Sequence, residues 1–233
     1  MIFLFVVDTG GSMNQVATRG ISILDCAKSA IEHFLKVRSQ DANHRHDKYL
    51  LVTYKGVISG WGSGPKAFFE AVKGLEAYDL SNMGQALICA FDLLNKFRMQ
   101  GIDTFGFGRN PRFIEPSAIV VLTDGFLQDP EASYRTSRDF EALLSTSSSR
   151  LGWDTDYCRS KNRWDQRVFP VLLQFKGIKD HLGVKEASKA IRPHALLHVA
   201  AEATGGKVVI CRNLRQLLQA METKIKTLLP GFT

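Results

Sequence analysis

Short apolar runs and helical stripes alternate along the chain. Ile2–Val7, Tyr49–Tyr54, Ala118–Thr123, Val168–Phe175 and Val208–Cys211 are apolar stretches, most of them without the polar alternation of a half-exposed strand. Runs of that length predict strands covered on both faces, as in a parallel sheet packed between helices. Between them the spacing changes to three and four. Ile23, Ala27, Ile31 and Phe34 fall on one stripe, with Ser22 placed to cap it. Met83, Leu87, Ala90, Leu94 and Phe97 form a second. Pro65–Leu75 reads as a shorter helix with proline in its first turn. His194–Thr204 stops at Gly205 and Gly206. A last helix carries Leu214, Leu217, Leu218, Met221, Ile225 and Leu228, and Pro230 closes it. Tyr54 to Trp61 turns into a short extra edge strand.

This order predicts an α/β fold: one Rossmann-like, doubly wound domain over 1–233 with helices on both faces of the sheet. The segment from Phe126 to Asp165 is long and weakly patterned, and reads as an insertion or a set of short helices.

Composition narrows the class. A chain of 233 residues with 45% hydrophobic content suits one packed domain. No apolar run approaches the ~20 residues of a membrane-spanning helix. Ile2–Val7 lacks the basic lead and cleavage site of a secretory signal. Cys26, Cys89, Cys158 and Cys211 make no CxxC pair, which argues against a zinc site or a disulfide framework. Cys26 and Cys89 lie in helical patterns and read as core thiols, which points to an intracellular setting. The net charge of +7 is dispersed. Its densest groups, RNPR at 109–112 and RSKNR at 159–163, have no aromatic platform beside them. A solvated basic surface therefore outranks direct nucleic-acid binding.

The candidate chemistry sits where strands end. Asp8 follows the first strand, and Asp124 follows another in IVVLTDG. In open α/β sheets the carboxyl ends of strands form the ligand crevice. Two carboxylates converging there would repel one another, and a divalent cation removes that cost. Ser12 lies four residues after Asp8 in a loop eased by Gly10 and Gly11. Ser81 opens the next helix, where its hydroxyl can cap that helix or face the crevice. An aspartate after a strand is often a turn former. Two of them with two hydroxyls favour a magnesium site built from hard oxygen ligands. Such a set leaves a coordination position that an acidic side chain from a partner could fill.

These residues resemble a known family. DTGGS at 8–12, SNMGQAL at 81–87 and TDG at 123–125 are similar to the three parts of the metal-ion-dependent adhesion site of von Willebrand factor A domains. The resemblance implies a mostly parallel six-stranded sheet with magnesium at its top, held by Asp8, Ser12, Ser81 and Asp124. Two positions depart from the pattern. Ser81 stands for a threonine and keeps the hydroxyl, whereas Gly10 stands for a serine and deletes a ligand. A longer resemblance runs through KYLLVTY at 48–54, GRNPRFIEPSAIVVLTDG at 108–125, RWDQRVFPVLLQFKG at 163–177 and EATGGK at 202–207. These strings are similar to the Integrator complex subunit 6 family. That family implies a nuclear, protein-docking role in a complex that cleaves nascent RNA made by RNA polymerase II. It also implies contacts with other Integrator subunits and with protein phosphatase 2A.

Other motifs weigh less. RWDQR offers Arg163, Trp164 and Arg167 as a partner-facing surface, although a structural corner before a buried strand explains them as well. GFGRNP at 106–111 and GWGSGP at 60–65 are turns, and no GxxxxGK[ST] phosphate loop occurs. His44 and His46 fall in a loop at the end of the sheet opposite Asp8. His194 and His198 lack the HExxH context of a zinc site. The rival reading is a magnesium-dependent phosphohydrolase with Asp8 as nucleophile. Enzymes of the haloacid dehalogenase type need an acid/base aspartate two residues on. Gly10 occupies that place.

Overall fold

A computed structural model of the chain describes residues 1–18, 20–60, 63–78, 82–100, 117–125, 166–175 and 195–224. The first strand, β1, spans Ile2–Val7. A 3-10 turn at Gly11–Asn14 and a small antiparallel hairpin, β2 (Val16–Thr18) and β3 (Ile21–Ser22), lead into α1 (Ile23–Ser39). Ser22 caps α1 as its sequence predicts, accepting from the Asp25 N–H at 3.0 Å. Then come β4 (Lys48–Thr53), β5 (Gly56–Ser59), α2 (Pro65–Lys73), α3 (Met83–Gln100), β6 (Ser117–Thr123), β7 (Gln166–Leu173), α4 (Ala195–Thr204), β8 (Val209–Cys211) and α5 (Leu214–Gln219). The last helix differs from its apolar stripe. After Gln219 it widens to a π-helix over Ala220–Lys224. There Glu222 Oε1 lies 2.5 Å from His33 Nε2 of α1, a contact the stripe does not encode.

Among the described residues the strands form a six-stranded sheet in the order β5-β4-β1-β6-β7-β8, parallel except for β5. Alternation along β1 explains why helices cover both faces. Phe3, Phe5 and Val7 join one core with Ile23, Ala27, Ile31 and Phe34 of α1, Phe68 of α2 and Leu217 of α5. Ile2, Leu4 and Val6 join the other with Leu87, Ala90 and Leu94 of α3 and Leu197 of α4. Each of the valine, leucine, isoleucine and phenylalanine side chains among them contributes about 1.5–3 kcal/mol through burial, so neither face can be left bare. The insertion expected at 126–165 lies outside the described residues.

The amino ends of the strands hold a buried ionic cluster. Arg38 and Asp47 are 3% and 4% exposed and pair at 2.5 Å, with a second bond from Arg38 Nε at 2.9 Å. The guanidinium also lies 4.8 Å from the centre of the Phe3 ring. His44 bonds Arg38 through Nδ1 at 2.9 Å, so this histidine serves the cluster at the end away from Asp8. Beside it, burial pushes the Tyr49 phenol up to about 12, with Asp47 adding to the rise and Arg38 opposing it. The folded value lies above the ordinary one of about 10. Tyr49 therefore stabilises fully below about pH 10, and that contribution fades as pH climbs through about 12. Urea midpoints measured across this range are expected to fall less steeply for Tyr49→Phe than for the native chain.

Candidate functional site

The strand order reverses between β1 and β6, since β4 lies on one side of β1 and β6 on the other. Ligand crevices of open α/β sheets form at such a switch point, outside the carboxyl ends of the strands. The parallel register sets Val7 against Leu122, so Asp8 emerges beside Thr123 and Asp124. The Asp8 N–H extends the ladder by donating to the Leu122 carbonyl at 2.9 Å.

The Asp8 side chain is held from two directions. Asp8 is 2% exposed. Its Oδ1 accepts from the Gly10 N–H at 2.8 Å, and its Oδ2 accepts from the Thr123 hydroxyl at 2.6 Å. Acceptance on both oxygens is the pattern of a carboxylate and orients the group rigidly. Thr123 is oriented in turn, because its Oγ1 accepts from the Gly125 N–H at 2.9 Å. Gly125 sits at φ 80°, a left-handed conformation that glycine adopts without strain, and this lets the TDG turn fold its amide back. Thr123 is the residue that sequence reasoning missed. It lay inside the TDG motif, but its role is a contact across 115 positions that no local spacing carries.

Ser12 lies half-buried in the 3-10 turn that follows, and Asp124 is half-buried at the end of β6. The turn is fixed by Met13 N–H donating to the Gly10 carbonyl, and by the Asn14 amide bonding the Ala77 carbonyl beyond α2. The structure thus brings Asp8, Ser12 and Asp124 to one end of the sheet. Ser81, Arg163 and Trp164 lie outside the described residues. Arg167 pairs with Ala118 near the amino end of β7, so it stands at the opposite end from the crevice. Burial lowers the Arg167 pKa.

The donor set fits a hard divalent cation. Asp8 and Asp124 supply carboxylates and Ser12 a hydroxyl, with Ser81 added by the family pattern. Oxygen ligands of this kind suit magnesium rather than zinc or copper. No group of three histidine, cysteine or acidic side chains gathers among the described residues. One neighbouring oxygen stays unused. Thr9 is 4% exposed, and its hydroxyl makes no hydrogen bond among the described residues. A buried hydroxyl without a partner costs about 1–3 kcal/mol. Thr9→Val is therefore expected to raise the urea midpoint, by about 1 kcal/mol in stability, while leaving the crevice intact.

The von Willebrand factor type A domain model matches residues 3–126, which include β1, the Gly11–Asn14 turn and the TDG turn. The chain belongs to the von Willebrand factor type A domain family. It is 37% identical to an Integrator complex subunit 6 homolog from Dictyostelium discoideum, over 99% of this chain and 20% of that protein. It is also 37% identical to Integrator complex subunit 6 from Danio rerio, over 99% of this chain and 26% of that protein. The chain therefore spans about a fifth to a quarter of the length of these curated relatives. A von Willebrand factor type A structure from Catenulispora acidiphila superposes with a TM-score of 0.57 at 16% identity, over 97% of this chain and 42% of that one. That likeness shows the fold, and it agrees with the doubly wound, six-stranded von Willebrand A architecture expected from the sequence.

Proposed function

We propose that this von Willebrand A domain is a non-catalytic docking module of an Integrator-type complex. In this reading it works in the nucleus, in RNA polymerase II transcription and RNA 3'-end processing. It contacts other subunits and contributes to recruiting protein phosphatase 2A. The observation that carries the reading is the likeness, along 99% of the chain, to relatives named as Integrator subunits.

The crevice supplies a physical means of docking. Asp8, Ser12 and Asp124, with Ser81 by family resemblance, would hold a magnesium ion at the switch point. The ion, when bound, offers positive charge to an acidic side chain of a partner. Gly10 and Thr123 keep the Asp8 carboxylate aimed, and Asn14 ties the loop to the segment after α2. The phosphohydrolase is disfavoured at the same loop: a nucleophilic aspartate needs an acid/base group close by, and Gly10 offers no side chain for that role.

Affinity capture from nuclear extract tests this. The chain with magnesium is expected to retain Integrator-type subunits and phosphatase 2A, and Asp124→Ala or added chelator to lose them several-fold. Equal capture by all three would remove the crevice from docking. Phosphate release by the native chain, abolished in Asp8→Asn, would install the enzyme instead.

A further inference from the structure

β8 ends the strand order, and among the described residues no strand pairs with its outer side. Successive residues of a strand point their N–H and C=O groups to alternate sides. The Cys211 carbonyl accepts from the Gln174 N–H, just past β7, at 2.9 Å. Cys211 therefore faces inward, and Ile210 turns its N–H and C=O outward. The Arg212 N–H, next on the outer side, is taken by Gln216 Oε1 at 2.8 Å. The Ile210 side chain is 49% exposed. A groove of about 490 Å³ is lined by β8 on one side and by Arg212, Gln216, Gln219 and Ala220 on the other. Its charge has one sign: from Gly205 to Gln219 the chain carries Lys207, Arg212 and Arg215, all exposed, and no aspartate or glutamate. The opposite sheet edge is built differently. β5 shifts register against β4 between Leu51 and Val52, and such an irregularity twists an edge away from further pairing.

We infer that β8 is a second docking surface, at which an extended acidic segment of a partner protein adds a strand to the sheet. The segment pairs with the Ile210 backbone, lays a β-branched side chain beside Ile210, and sets its carboxylates against Lys207, Arg212 and Arg215. Main-chain bonds supply the affinity, and the charges select the partner. A single-stranded nucleic acid shares the negative charge but needs stacking rings, and the groove lining has none. The surface is separate from the crevice, since β6 and β7 lie between β8 and β1.

Fluorescence anisotropy on the 233-residue chain tests it, with a labelled peptide of about eight alternating glutamate and valine residues. Chelator is present throughout, so the crevice takes no part. Saturable binding is expected, with several-fold loss for a lysine–valine counterpart and for the acidic peptide N-methylated at its backbone amides. Ile210→Pro removes the outward N–H, a change that a sheet edge tolerates, and is expected to lose the acidic peptide several-fold. Arg212→Glu combined with Arg215→Glu is expected to do the same, and circular dichroism checks that the variants fold. Equal binding of the N-methylated peptide would reduce the contact to charge attraction and overturn strand addition. So would undiminished binding by Ile210→Pro, or tighter binding of oligouridylate than of the acidic peptide. A self-associated chain that Ile210→Pro splits would seat a second copy in the groove and overturn it too. Absence of saturable peptide binding also overturns it, whereas the crevice reading is judged by magnesium alone. Should Ile210→Pro fail to fold, the N-methylated peptide still decides the matter on the native chain.

Discussion

Gly206→Ala is expected to destabilise the domain by about 3 kcal/mol or more, seen as a large fall in urea midpoint. A Cβ at position 206 would lie 1.8 Å from the Val168 carbonyl oxygen and 2.8 Å from its carbon. Both are backbone atoms of β7, so no side chain can swing aside. The segment is held there from a second point: the Val168 N–H donates to Thr204 Oγ1 at 3.0 Å, and that hydroxyl donates to the Ala200 carbonyl at 2.7 Å. The turn after α4 therefore cannot retreat without breaking the bond that satisfies Val168. Gly60→Ala provides the comparison, since among the described residues its Cβ would meet only Val57 at 3.7 Å. That change is expected to stay within about 0.5 kcal/mol. A Gly206→Ala midpoint equal to that of Gly60→Ala would mean that α4 does not abut β7 as described.

Asp47→Ala is expected to cost about 3–5 kcal/mol, because it leaves the Arg38 guanidinium buried without its carboxylate. Arg38 loses bonds at 2.5 and 2.9 Å and keeps His44, the Tyr49 hydroxyl and the aromatic faces of Phe3 and Phe34, while the Met1 amino group loses its contact with Asp47 at 3.3 Å. Removing both charges tells a different story. Arg38→Met combined with Asp47→Leu is expected to recover only part of the loss, since replacing a buried pair by apolar groups is often close to neutral but the buried Met1 amino group still loses its carboxylate. Chemical denaturation of the two single variants and the double one gives the coupling energy directly. Additive losses would show that the two residues do not interact in the folded chain.

The strands were legible because each fills a two-sided core. Every residue of β1 from Ile2 to Val7 is buried, and the sequence shows this as an unbroken apolar run. α1 was legible through its stripe and the Ser22 cap. The same stripe carries a further signal: Arg38 falls four positions after Phe34, on the buried face rather than the solvent face. A charge on an apolar stripe needs a partner, and Asp47 meets it only after the chain has turned back. The hairpin of β2 and β3 was not legible, since strands of three and two residues are too short to show a period. At the site, Asp8 and Asp124 could be placed from their positions after apolar runs. Thr123 could not be assigned to Asp8, because sheet register joined them. The hydroxyl of Thr9 gave no signal, as burial without a partner is visible only in three dimensions.

The docking proposal requires Asp8, Ser12 and Asp124 to bind one hard cation at the switch point. Calorimetric titration of the chain with magnesium, beside Asp124→Asn, tests it most directly. The half-buried place of Asp124 makes this variant the milder one for folding, and equal urea midpoints would confirm that. A saturable magnesium heat in the native chain, lost in Asp124→Asn at unchanged stability, is the predicted result. Identical titrations for the two proteins, whether both bind or neither does, would contradict it.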